Sequence, residues 1–166
     1  SEMCIRDRGS MTEEFEQRKA DEARAYLRHV RDLGMRVRGL QASIDDARSR
    51  LLPAGVSYDG AGGGGCYADA MPDGVAKVQE LVADYATELA ALVDEQRAAR
   101  ECIARLADMR RRETLEGFYL RGESFEMIAV SLGYSYESVR LFHRLGLAEV
   151  WAYMPAEWRS PMEPAI

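Results

Sequence analysis

Residues 119–150 read YLRGESFEMIAVSLGYSYESVRLFHRLGLAEV. Phe125, Ile128, Ala129 and Leu132 recur at spacings of three and four, the apolar stripe of a short helix. Ser124 stands before the stripe, where a hydroxyl can cap the helix, and Gly133 follows it, where a left-handed residue closes one. Ser135 is placed to cap a second helix whose inward face is Val139, Phe142 and Leu145. Two helices that cross closely need a small residue at the contact, and Ala129 supplies it. The layout is helix, tight turn, helix. The run Arg144-Leu145-Gly146-Leu147 predicts an early end to the second helix, because glycine is unfavourable inside one.

Upstream, Ala23, Tyr26, Val30, Leu33, Val37, Leu40, Ile44, Ala47 and Leu51 form a heptad-like seam, predicting a long helix over about 12–52. Gly34 and Gly39 each weaken it by about 1 kcal/mol relative to alanine. A second seam, Val75, Val78, Val82, Tyr85, Leu89, Leu92, Gln96, Ala99, Ile103 and Leu106, predicts a helix over about 73–103. Its one polar member, Gln96, either fixes register or marks a frayed part of the seam. Tyr26 and Tyr85 are read as seam residues with hydroxyls at the edge. Between the seams, residues 53–72 are rich in glycine and predict a flexible connection. It is no phosphate loop, since GGGG lacks the following Lys-Ser/Thr and the preceding strand.

These readings give an all-α fold: a long antiparallel coiled-coil hairpin over 11–103, then a small helix-turn-helix domain over 104–153. Leu106, Met109, Leu115, Phe118 and Tyr119 are expected to cover that domain, with Trp151, Tyr153 and Trp158 closing its core. The prolines at 155, 161 and 164 predict a flexible tail over 154–166. Residues 1–10 are read as a non-native leader, because Met3–Arg8 looks like a translated sequencing adapter and Gly9-Ser10 like a cloning scar.

The chain carries 22 Lys+Arg against 28 Asp+Glu, a net charge of −6. The excess acid lies over 11–103, with 12 basic and 17 acidic residues, while 104–166 has 8 and 9. Nucleic-acid affinity rests mainly on phosphate neutralisation, so a chain of this balance binds weakly unless dimerisation or a partner adds affinity. Cys4, Cys66 and Cys102 make no disulfide framework, and His29 and His143 are too far apart in sequence to suggest a metal site. No nucleophile–base pair, carboxylate pair or cofactor fingerprint stands out, so neither enzymatic activity nor a cofactor is expected. Without an apolar run of membrane length or a signal peptide, a cytoplasmic location in a bacterial host and no membrane partner are expected.

The stretch 119–150 resembles region four of bacterial sigma factors, and more closely the sigma-region-four-like modules of small phage regulators. Leu120-Arg121-Gly122, the stripe Phe125, Ile128, Ala129 and Leu132, then Gly133-Tyr134-Ser135 and Val139 carry the resemblance. Over roughly 40–150 the chain also looks like phage and prophage proteins in which a helical hairpin precedes that module. The resemblance implies a phage or prophage transcription regulator that contacts double-stranded DNA, RNA polymerase, or both. It places Tyr136, Glu137, Arg140, His143 and Arg144 on the face that enters the major groove, with Ser124, Tyr134 and Ser135 donating to phosphates. Arg110, Arg111 and Arg112 are a candidate phosphate anchor, the alternative being a solvated helix face. For Arg140 and Arg144 the plainer reading is a surface ion pair with Glu137; for His143 it is an exposed polar side chain. A homodimer through the hairpin is expected. Two other functions fit the acidic hairpin: an inhibitor or adaptor of RNA polymerase or of a host defence nuclease (an anti-CRISPR, for example), and a small terminase subunit.

Overall fold

The computed structural model describes residues 2–51 and 70–161. The glycine-rich stretch with Cys66, and the last residues of the proline-rich tail, lie outside the described residues. The chain is all-α. Helix α1 is Glu2–Leu51, α2 Ala70–Ala104, α3 Met109–Leu115, α4 Phe125–Leu132 and α5 Tyr136–Val150. A single π-helical turn, Glu116–Leu120, extends α3, and two short 3-10 turns, Trp151–Tyr153 and Ala156–Trp158, follow α5. No helix among the described residues is long and apolar enough to cross a membrane.

The chain divides into two compact units, 33–93 and the combination of 1–32 with 94–166. In the first, α1 and α2 run antiparallel: Gly34 faces Leu92, Arg36 reaches Glu88 at 3.4 Å, and Leu51 lies against Gly74. Leu33, Val37 and Leu92 are buried there, with Tyr85 and Leu89 packed against them. Of the ten positions in the second predicted seam, eight are buried or half-buried and two are exposed. Leu92 is buried, whereas Val75 and Val82 are exposed, as is Val93. Residues 78, 85, 89 and 92 face inward, and 75, 82 and 93 lie at the outer edge of the same apolar stripe.

In the second unit, one core joins elements far apart in sequence. Ala20, Ala23, Tyr26, Leu27 and Val30 of α1 meet Ala99, Cys102 and Ile103 of α2, then Leu115, Tyr119 and Leu147, Val150, Trp151 and Met154. The end of α5 thus finds its cover on α1. Each large side chain buried this way stabilises by about 1.5–3 kcal/mol. Of the residues expected to cover the helix-turn-helix, Leu106, Leu115 and Tyr119 are buried, but Met109 is 60% exposed. Tyr26 is wholly buried, hydroxyl included, beside the Cys102 thiol, which donates to the Tyr153 carbonyl; this differs from the expected edge position. Gln96 is half-buried and donates to the Leu120 carbonyl at 3.4 Å, so it holds the end of the π turn.

The segment after α5 departs from the expected flexible tail as far as it is described. Trp151 Nε1 donates to Glu22 at 2.6 Å, and the Ser160 backbone N–H and hydroxyl donate to the same carboxylate. Burial alone would raise the pKa of Glu22; the hydrogen bonds from Ser160 and Trp151 more than reverse this and lower it. Trp158 packs on Tyr26 and His29, with ring centroids 5.6 and 5.4 Å apart. Proline stops a helix, but it leaves aromatic side chains free to dock.

Candidate nucleic-acid interface

Three caps set the geometry of α3, α4 and α5. Asp108 caps α3 by accepting from the Arg110 backbone N–H at 2.8 Å. Arg110 also holds that carboxylate through its side chain, which pulls the Asp108 pKa down to about 2. Ser124 accepts from Met127 N–H at 3.2 Å and Ser135 from Ser138 N–H at 3.1 Å, so both serines cap helices as the sequence predicts. Gly133 has φ 71°, which lets the chain reverse after α4, and Tyr134 N–H then bonds the Ala129 carbonyl at 3.0 Å. Ile128, Ala129 and Val139 form the buried contact between α4 and α5, flanked by Phe118, Phe125 and Leu132.

α5 does not end at Gly146; it continues to Val150. Gly146 is buried, and a Cβ placed on it would sit 3.2 Å from Leu115 Cδ1 and 3.4 Å from Arg111 Cβ. The glycine is where α3 and α5 approach closely, and packing there outweighs its poor helix propensity. Leu145 is exposed, contrary to expectation, and Gly146 and Leu147 turn inward instead.

The solvent face of α5 carries Tyr136, Glu137, Arg140 and Arg144, all exposed. Arg140 and Arg144 are one turn apart, so both project to the same side. Arg140 has only a loose ion pair with Glu137, at 3.9 Å between side chains 60% and 79% exposed. An exposed pair of this kind contributes little, and a better acceptor displaces it. Arg144 has no partner among the described residues. Tyr134 is exposed beside Phe142, its ring perpendicular at 5.2 Å, and Tyr136 lies edge-on to Phe125.

His143 does not belong to that face, nor is it a plain exposed side chain. It bonds the Tyr119 hydroxyl at 2.8 Å and lies among the rings of Phe118, Tyr119 and Phe125. Burial, with the Arg24 cation adding to it, pushes its pKa down to about 4. Burial also lifts Tyr119 to about 12, against the pull of Arg24, Arg28 and Arg31. The pair joins α5 to the π turn. Sequence reasoning placed Tyr119 in the cover of the domain but missed its bond to His143, because the two lie 24 residues apart; only the helical angle of His143, close to that of Val139, signals an inward position.

The three consecutive arginines all have partners within the chain, Arg110 at the surface and Arg111 and Arg112 half-buried. Arg110 is held by Asp108 and lies over the Phe142 ring at 5.0 Å. Arg111 pairs with Glu149 at 2.7 Å, and Arg112 donates to the Leu106 carbonyl at 2.8 Å. Each ties α3 to a neighbour.

No family model, curated protein or solved structure matches the chain. Function therefore rests on the chemistry of the α5 face. It offers two guanidinium groups on a helix, one carboxylate a turn before them and two capped helix N-termini nearby. Guanidinium groups at helical spacing suit guanine O6 and N7, while helix N-termini and serine hydroxyls suit phosphate oxygens.

Proposed function

We propose that this chain is a DNA-binding transcription regulator of phage origin, with α5 as the helix that enters the major groove. The observation that carries the reading is the pairing of Arg140 and Arg144 on the open face of α5, behind a turn closed by Gly133 and capped by Ser135. Arg140 and Arg144 read guanine edges, Glu137 accepts from cytosine N4, and Ser124, Ser135 and Tyr134 hold phosphates. RNA polymerase is the protein partner that such a regulator engages. Each bidentate arginine contact discriminates by about 1–3 kcal/mol. Electrophoretic shifts of phage promoter fragments test this: R140A with R144A is expected to weaken specific binding by roughly 30-fold or more, two such contributions together. An unchanged shift would remove α5 from the interface.

The regulator works as an oligomer held by α2. Val75, Val82, Ala86 and Val93 line a stripe along one edge of α2 at the spacing of a coiled-coil seam, and all four are exposed. A second copy covers such a stripe, and two copies double the phosphate contacts available to a chain of net charge −6. V82E with V93E is expected to lower the molar mass in solution to that of one chain. The same mass before and after the change contradicts an α2 interface.

A protein-binding inhibitor or adaptor is the second reading. Met127 and Val130 are 60% and 85% exposed on α4, and Leu141 and Leu145 on α5, an apolar surface that suits a protein better than a duplex. Recovery of polymerase or a nuclease from host lysate by R140A/R144A, together with the absence of any shift by the unaltered chain, favours it.

A further inference from the structure

The thin positive charge of α3–α5 is supplemented from an unexpected place. Arg24, Arg28 and Arg31 stand at i, i+4 and i+7 of α1, one row along a single helix face. That row borders the elements that carry α5. The Arg31 guanidinium lies 3.9 Å over the Phe118 ring, and Phe118 touches His143, whose ring centroid is 5.6 Å away. All three arginines act electrostatically on the Tyr119 hydroxyl, and Arg24 acts on His143. His143 sits between Arg140 and Arg144 in α5, so the α1 row flanks the edge of the helix whose open face bears those two arginines.

The other flank of α1 is already occupied. Glu22 there takes Trp151 and Ser160, and His29 takes Trp158. On the arginine flank, Arg28 is exposed with no hydrogen bond or ion pair among the described residues, and Arg24 has one exposed ion pair, with Asp21 at 2.8 Å. Asp32, exposed one turn beyond Arg28, ends the row. Arg31 lies over an aromatic face and donates no hydrogen bond among the described residues, so its N–H groups remain available. From Arg24 to Arg31 the helix rises about 10.5 Å, about the axial rise of three base pairs of duplex.

We infer that Arg24, Arg28 and Arg31 form a phosphate-binding row that grips the strand bordering the groove entered by α5. The inference rests on the DNA-binding reading above and extends it: α1 belongs to the interface, and its arginines supply affinity without sequence choice. Phosphate contacts of this kind appear in the salt dependence of binding, each contributing roughly 0.9 to the slope of log affinity against log salt.

The test is a fluorescence-anisotropy titration of labelled duplex with the full chain across a salt series. R24Q with R28Q is expected to make the slope shallower by about 2 and R28Q alone by about 1, with sequence preference unchanged. Arg31 is left in place because it packs on Phe118. A charge-matched control, R38Q with R48Q on the remote half of α1, is expected to keep the original slope. An unchanged slope in R24Q/R28Q overturns the inference, as does an equal loss in the control. If R140A/R144A still alters sequence preference in that case, the regulator reading stands and the row alone falls. If the unaltered chain binds no duplex at low salt, both fall.

Discussion

Replacing Gly146 with valine is expected to destabilise the chain by about 3 kcal/mol, at the upper end of ordinary overpacking costs. A Cβ at this position meets Leu115 Cδ1 at 3.2 Å, Leu115 Cγ at 3.3 Å and Arg111 Cβ at 3.4 Å. A single methyl needs Leu115 to move by a few tenths of an ångström. The gain in helix propensity from glycine to alanine, about 1 kcal/mol, offsets much of that, so Gly146→Ala is expected to be close to neutral. Valine adds two branches that have nowhere to go but into Leu115, which is fully buried. Thermal unfolding followed by circular dichroism distinguishes the two variants. A smaller residue at 115 makes room for the branches, so Leu115→Ala is expected to rescue part of the loss in the double variant. Valine tolerated at wild-type stability would mean that α3 and α5 do not cross at this point.

Acid is expected to weaken the fold in a window set by His143. Its folded pKa of about 4 lies below the ordinary histidine value of 6.5, so the native state binds fewer protons than the unfolded chain between these values. Stability from this group is therefore complete above about pH 6.5 and is lost as the pH falls toward 4. Allowing for the partial exposure of the ring, the loss is about 2 kcal/mol. Asp108, lowered to about 2, acts in the same direction at more acid pH, because its charged form is the one the fold favours. Urea unfolding at neutral pH and near pH 5 measures the effect. His143→Gln is expected to lower stability at neutral pH and to flatten the dependence between the two conditions. A histidine titrating in the folded chain near its ordinary value, as seen by NMR, contradicts the buried Tyr119–His143 pair.

Local signals were well legible in the sequence, because caps and turns depend on residues near in the chain. Ser124, Ser135, Gly133 and Ala129 stand where the spacing put them. What failed was whatever depends on a distant partner. Gly146 looks like a helix end until Leu115, in another helix, is seen against it. Arg110, Arg111 and Arg112 look like free cations until Asp108, Glu149 and the Leu106 carbonyl are placed beside them. His143 looks like a groove residue until the π turn brings Tyr119 under it. The tail looks unsupported because its anchor, Glu22, lies 129 residues before Trp151. The α2 seam departs from expectation only at Val75 and Val82, which lie at the outer edge of its apolar stripe, less than a right angle from the nearest inward-facing residues.

Selection from a pool of random duplexes, carried out at low salt with the unaltered chain and with R140A/R144A, tests the central claim most directly. A regulator that reads DNA through α5 enriches a short guanine-containing site, and the double variant loses that enrichment while keeping some affinity for any duplex. No retention of duplex by the unaltered chain, or the same enriched site in both, contradicts it.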